Sequence, residues 1–145
     1  DGIYDHLLPP GGLPVDDRWF TRLVGDDELD VWLISWAPGH PTELHDHGGS
    51  LGALTVLSGA LDEFRWDGEG LRRRRLEAGD QAAFPLGWVH DVAWTRPRIP
   101  VAVEPTLSVH AYSPPLTAMS YYDVTSRGTL RRARTELTDH PEGYP

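Results

Sequence analysis

The chain has 145 residues, a net charge of −9 at neutral pH and no cysteine. This length suits one domain with a real core, and the acidic balance argues against nucleic acid and against an anionic membrane surface as partners. The lack of cysteine excludes disulfides, thiolate metal ligands and a nucleophilic thiol. No signal peptide and no apolar run of transmembrane length is visible, so a cytoplasmic protein is the default expectation.

Fifteen glycines and 13 prolines punctuate the chain and favour short strands over long helices. Residues 1–17, rich in proline and glycine, are predicted to form an N-terminal arm. Strands are predicted at 18–24, 30–37, 51–57, 60–66, 71–76, 89–94, 106–112 and 117–124. Ser58-Gly59 reads as a hairpin turn between two of them. Residues 125–145 are polar and are expected to form a short helix or a mobile tail. The sequence therefore predicts an all-β protein with one small antiparallel β-barrel domain at 18–124.

Four consecutive arginines, at 72–75, lie on one predicted strand. Such a run can bind nucleic acid or phosphate, but two of the four side chains would face each side of the strand. Acidic residues are abundant on either side of the run. A solvated, ion-paired sheet edge is therefore the preferred interpretation.

His45 and His47 are one residue apart, after a turn-forming Pro38-Gly39 and before a pair of glycines. On an extended strand residues i and i+2 face the same side, whereas a helix would place them on different faces. Two imidazoles side by side suit one metal ion. The pair alone is equally compatible with histidines that bind no metal.

A second segment strengthens the metal hypothesis. The spacing Gly39-x5-His45-x-His47, then Gly59, resembles the first cupin motif, and Gly79-x5-Pro85-x-Gly87-x2-His90 resembles the second. Gly52 stands where that first motif usually has a glutamate ligand, and Trp94 stands where the second usually has asparagine. The remaining donors are three neutral imidazoles, a set that suits Fe, Zn, Cu or Ni.

Ser108, His110 and Tyr112 share one face of the strand at 106–112. This face could simply be exposed to solvent, or it could form a hydrogen-bonded relay that lines a site. The run Ser-x-His-x-Tyr-Ser-Pro-Pro resembles cysteine dioxygenase and the related thiol dioxygenases. That cupin family also has three histidine ligands and no glutamate, which favours the relay.

The resemblance implies a role for each residue that matches a family motif. His45, His47 and His90 would bind Fe(II), and Tyr112, oriented by His110 and Ser108, would donate to bound oxygen or to the substrate. Arg22 would grip the substrate carboxylate, although an ordinary salt bridge is the alternative. Animal enzymes carry at the Gly52 position a cysteine cross-linked to the matching tyrosine. No such bond can form here, as in the bacterial members.

The resemblance thus implies a non-haem Fe(II) thiol dioxygenase that uses O₂ to convert L-cysteine to cysteine sulfinic acid. One alternative is a dioxygenase of another thiol acid such as 3-mercaptopropionate, but relatives of that kind carry glutamine at the Arg22 position. Another is a metal-binding cupin that is not an oxygenase, either a zinc enzyme or a metal-dependent binding protein. The sequence does not specify the oligomeric state.

Overall fold

A computed structural model of the chain describes residues 18–38, 43–98 and 106–141. The predicted arm at 1–17 and Gly39 of the first motif lie outside these ranges. The described residues form 11 strands, namely β1 (Trp19–Gly25), β2 (Asp30–Trp36), β3 (Leu44–His45), β4 (Leu51–Ser58), β5 (Ala60–Trp66), β6 (Leu71–Glu77), β7 (Gln81–Phe84), β8 (His90–Trp94), β9 (Thr106–Ser113), β10 (Ala118–Val124) and β11 (Leu130–Leu137). Among them there is no helix of the length and apolar character that crossing a membrane would require.

The strands form two antiparallel sheets, and the all-β prediction is confirmed. One sheet has the order β1-β2-β9-β4-β7 and the other β11-β10-β3-β8-β5-β6. Large buried side chains from both, such as Trp32 and Ile34 from one and Leu61 and Val92 from the other, meet in a single core. The site described below lies between the two sheets.

The turn at Ser58-Gly59 is not a hairpin, which corrects the sequence prediction. Strands β4 and β5 belong to different sheets, so the chain turns a corner here instead of pairing with itself. Gly59 has φ +81°, and a Cβ on it would lie 2.2 Å from Thr106 Oγ1. The same hydroxyl bonds the Ala60 amide and carbonyl, each at 3.1 Å. Glycine is therefore required by this close approach, while a Ser-Gly turn alone does not specify which strand pairs with which.

The prediction of a helix or mobile tail at 125–145 is also wrong for residues 130–137. They form β11, which pairs with β10 along its whole length. Nearly every side chain of β11 is exposed, so the strand leaves no apolar alternation in the sequence. Strands β3 and β7 are short; the strand expected around His45 and His47 extends only over β3, and β7 was not predicted from the sequence.

The arginine run lies on β6, at the edge of its sheet, and the ion-paired interpretation is confirmed. Each of the four arginines has its own carboxylate partner, the pairs being Arg72–Asp67, Arg73–Asp62, Arg74–Glu63 and Arg75–Glu77. Asp67 and Glu77 lie within five residues of their partners, whereas Asp62 and Glu63 lie 11 residues away on the neighbouring strand β5. In the Arg74–Glu63 pair the arginine is half-exposed but the carboxylate is buried in the interior.

Candidate metal centre

Three buried histidines come together between the sheets, and we call them the histidine cluster. His45 is the last residue of β3, and His47 lies two residues further along the chain. His90 is the first residue of β8 and pairs with His45. One nitrogen from each ring lies within 4.8 Å of the other two, an arrangement that could hold a metal ion. All three side chains are at most 3% exposed. The expectation that both His45 and His47 lie on one strand is only partly right, since β3 stops at His45.

The distance between two of these nitrogens suits a shared ion. His90 Nε2 lies 3.3 Å from His47 Nε2. Two imidazole nitrogens that each bind one ion at about 2.0–2.1 Å would lie roughly 3 Å apart. The donors are neutral nitrogens without a carboxylate, so the set fits a divalent transition metal and not Mg²⁺ or Ca²⁺.

Hydrogen bonds at the far side of two rings fix which nitrogen faces inward. His45 Nδ1 donates to the Glu43 carbonyl oxygen at 2.9 Å. His90 Nδ1 donates to Glu63 Oε2 at 2.8 Å. Because a carbonyl and an ionised carboxylate only accept, both Nδ1 atoms carry the proton. Each Nε2 then presents its lone pair to the cluster.

Glu63 also belongs to this site, although the sequence did not indicate it as a site residue. It is 1% exposed, and its other oxygen, Oε1, accepts from Arg74 at 2.7 Å. Burial alone would raise the pKa of Glu63, but the hydrogen bonds and charges of His90 and Arg74 outweigh burial and lower it. The charge of Glu63 is not a distinctive signal in the sequence, because β5 also carries Asp62 and Arg65, and the partners of Glu63 lie on two other strands.

The segment between the first two histidines is held by Asp46. Its carboxylate accepts from the Gly48 and Ser120 amides at 3.1 and 3.0 Å and from the Tyr122 hydroxyl at 2.7 Å. The Asp46 amide in turn donates to the Ser120 carbonyl at 2.9 Å. These bonds fix a turn that regular strand pairing does not reach, and so position His47.

The facing sheet carries the predicted serine, histidine and tyrosine. Ser108, His110 and Tyr112 are all buried on the inner face of β9, so the solvent-facing alternative is wrong. The Tyr112 ring lies 5.5 Å from the His47 ring, centroid to centroid. The Tyr112 hydroxyl is 3.2 Å from His110 Nδ1. Ser108 Oγ accepts from Trp36 Nε1 at 2.8 Å, a partner that the sequence did not indicate.

Gly52 lies against the same tyrosine. On β4 it pairs with Tyr112 on one side and with Phe84 on the other. A Cβ at Gly52 would lie 2.7 Å from Phe84 Cδ2 and 3.3 Å from Tyr112 Cδ1. Phe84 fills this space and stacks on His47, with centroids 5.4 Å apart and planes at 21°. A glycine is therefore what lets the phenylalanine cover the histidine cluster.

Arg22 lies on the edge strand β1, opposite Trp32, which in turn pairs with His110. Its guanidinium lies 4.6 Å from the Trp32 ring centroid. Its Nε is 3.5 Å from Asp30 Oδ1, and the side chain is 42% exposed. The structure thus contains the salt bridge considered as the alternative, on the same row of the sheet as His110. A role in substrate binding stays a prediction.

Two facing antiparallel sheets around a three-histidine cluster define a cupin with a candidate metal site. The chain belongs to the cysteine dioxygenase type I family, whose pattern it matches over residues 14–125. It is 29% identical over 121 residues to cysteine dioxygenase type 1 of Danio rerio, covering 73% of this chain and 56% of that protein. The human enzyme is 28% identical over 137 residues, covering 85% of this chain and 63% of that protein. The chain thus spans about three fifths of the length of these curated relatives.

Solved structures support the fold. A double-stranded β-helix protein from Klebsiella pneumoniae aligns with TM-score 0.57 and 19% identity, over 90% of this chain and 93% of its own. A putative sugar phosphate isomerase from Acidithiobacillus ferrooxidans aligns with TM-score 0.56 and 20% identity, over 84% of this chain and 76% of its own. At this identity the likeness concerns the architecture alone.

Proposed function

We propose that the protein is a non-haem Fe(II) thiol dioxygenase and that L-cysteine is its preferred substrate. The observation that carries the proposal is the convergence of one nitrogen from each of three buried histidines beside Tyr112 in a chain of this family. His45, His47 and His90 would hold the iron. Bound iron would supply a redox-active cation that both a thiolate and dioxygen can reach. The products would be cysteine sulfinic acid, with both oxygen atoms transferred to sulfur.

The protein would hold the metal ion and orient the substrate beside it. Three uncharged donors leave the ion its full positive charge, which favours a thiolate over a neutral thiol. Phe84 and the buried residues of both sheets keep water from the histidine cluster. An interior of low dielectric strengthens each electrostatic contact with the bound substrate.

Tyr112 would act as the hydrogen-bond donor of the site. Of the two arrangements compatible with a 3.2 Å contact, we favour the one in which His110 Nδ1–H donates to the phenol oxygen. The phenolic hydrogen is then free to point to the substrate or to oxygen. Ser108, which accepts a hydrogen bond from Trp36 on the neighbouring strand β2, would support His110 by packing.

Arg22 would bind the substrate carboxylate. Its present contact with Asp30, at 3.5 Å, is longer than a good charge-assisted hydrogen bond. A carboxylate that forms two parallel bonds to the guanidinium would therefore compete well. Replacement by alanine should raise KM for cysteine more than for cysteamine, which has no carboxylate.

The second candidate substrate is 3-mercaptopropionate, which has the carboxylate of cysteine but not its amino group. If Arg22 stays paired with Asp30 when the substrate binds, the arginine would not bind the substrate carboxylate. The protein would then oxidise 3-mercaptopropionate as well as it oxidises L-cysteine. An oxygen electrode separates these possibilities. The iron-loaded protein is supplied with L-cysteine, 3-mercaptopropionate and cysteamine in turn.

Fastest uptake with L-cysteine, at one O₂ per sulfinate formed, is expected. Uptake with 3-mercaptopropionate alone would overturn the substrate assignment. No uptake with any thiol, from a sample that holds one iron per chain, would overturn the dioxygenase proposal and indicate a cupin of another kind.

A further inference from the structure

A continuous chain of contacts runs from the protein surface to one histidine of the cluster. Arg74, on the edge strand β6, is 51% exposed, and its Nη2 lies 2.7 Å from Glu63 Oε1. Glu63, on β5, is buried, and its Oε2 lies 2.8 Å from His90 Nδ1. Glu63 therefore joins a half-exposed arginine to a candidate metal ligand through its two oxygens.

The burial of Glu63 requires an explanation. A carboxylate removed from water is costly unless both its oxygens are hydrogen-bonded and its charge is balanced. Here one oxygen meets a guanidinium and the other meets an imidazole N–H. A buried ion pair is often no more stabilising than apolar residues of similar volume, so fold stability alone does not account for this carboxylate.

A neighbouring pair on the same two strands shows what an ordinary ion pair looks like here. Arg73 Nη2 lies 3.0 Å from Asp62 Oδ2, and Arg73 is 58% exposed, close to the exposure of Arg74. Because side chains alternate along a strand, this pair lies on the opposite face of the sheet from Glu63. The other oxygen of Asp62 has no hydrogen-bond partner within the described ranges. The contacts of Arg73 therefore do not continue beyond Asp62 to a further residue.

We propose that Glu63 and Arg74 are positioning residues for the metal ligand His90, a proposal that rests on the metal site assigned above. Glu63 keeps the His90 proton on Nδ1, fixes the direction of the ring and makes Nε2 a stronger donor through its negative charge. Arg74 holds Glu63 in place and partly offsets that charge. Partners of this type behind a ligating histidine commonly change metal affinity 10- to 100-fold.

The first test measures metal binding without any thiol. Co(II) affinity is determined by competition with a chromophoric chelator for the wild type, Glu63→Gln and the matched control Arg73→Ala. Glu63→Gln should bind Co(II) roughly 10- to 100-fold more weakly. Arg73→Ala should stay within about two-fold of the wild type, because the Arg73–Asp62 pair lies on the opposite face of the sheet from Glu63. Equal affinity in Glu63→Gln and Arg73→Ala would overturn the inference.

The second test distinguishes tuning from a merely structural role. The midpoint potential of the iron-loaded protein is measured by potentiometric titration for Glu63→Gln and Arg74→Gln. Removing a negative charge near the ion should raise the potential, and removing a positive charge should lower it. Shifts in the same direction, or none, would overturn the inference. Arg74 is half-exposed, so Arg74→Gln keeps the proposal testable if Glu63→Gln does not fold.

The two proposals fail in different ways. A wild-type protein that binds neither Co(II) nor iron would overturn the metal site itself, and with it the role of Glu63. A wild type that binds metal normally, with variants that match it, would overturn only the role of Glu63 and Arg74.

Discussion

Replacing Gly52 by alanine tests how tightly the wall opposite the histidine cluster is packed. The new Cβ would lie 2.7 Å from Phe84 Cδ2, about 1 Å inside an ordinary carbon–carbon contact of roughly 3.5–4.0 Å. Phe84 is 1% exposed, and its ring centroid lies 4.2 Å from that of His90. The phenylalanine therefore cannot move away without displacing a histidine of the cluster.

The expected cost follows from this overlap. Overpacking of a buried site typically lowers the free energy of unfolding by about 1–3 kcal/mol. Replacing glycine by alanine also restricts the unfolded chain, which raises the free energy of unfolding by roughly 0.4–1 kcal/mol. The net loss for Gly52→Ala should be about 1–2 kcal/mol. For a chain of this size that lowers Tm by roughly 2–8 °C, measurable by calorimetry of the metal-free protein.

Gly49→Ala is the matched control, since nothing lies within 4 Å of a Cβ at that position. Its Tm should equal or slightly exceed that of the wild type. Adding Phe84→Leu to Gly52→Ala should recover part of the loss, because the two positions are in contact. A Gly52→Ala protein that melts at or above the wild-type temperature would refute the packing argument.

Three further predictions concern the site. His90→Ala should retain no iron after desalting, because two imidazoles remain; a metal analysis showing one iron per chain would contradict this. Tyr112→Phe should keep its iron but turn over roughly 100-fold more slowly; loss of iron would mean that the phenol holds the histidines instead. Burial raises the pKa of Asp46, but hydrogen bonds from Ser120, Tyr122 and Gly48 outweigh it, so the pKa lies below 3.8. Asp46 therefore stabilises the fold above about pH 4 and ceases to do so as pH falls through its folded pKa. The stability gap between the wild type and Asp46→Asn, measured by urea unfolding, should shrink on acidification, and a constant gap would exclude this role.

The sequence predicted the parts of the site that depend on short-range spacing. Strand periodicity places the three polar residues at alternate positions of β9 in the interior. The two histidines one residue apart are also buried together, although β3 ends at the first of them. Period-two alternation shows which residues share a face, but not which sheet a strand joins. That is why Ser58-Gly59 looked like a hairpin although it is a corner between sheets.

What the sequence could not predict depends on partners that are distant in the chain or on strand pairing without apolar alternation. The partners of Glu63 lie 11 and 27 residues away, so its place behind His90 left no local signal. Strand β11 exposes almost every side chain, and its pairing with β10 combines main-chain hydrogen bonds with polar side-chain contacts such as Ser120–Thr135. It nevertheless contributes to the site, because Arg134 on β11 bonds both carboxylate oxygens of Glu43 at 2.8 Å. The Glu43 carbonyl is the acceptor that orients His45.

X-ray absorption at the iron edge tests the central claim most directly. The protein is loaded anaerobically with one equivalent of Fe(II), desalted and measured beside His47→Ala. The wild type should retain the iron and show scattering from three imidazoles, and the variant should lose iron or show one imidazole fewer. Iron that is retained without imidazole scattering, or scattering unchanged in His47→Ala, would contradict a metal centre built from these three histidines.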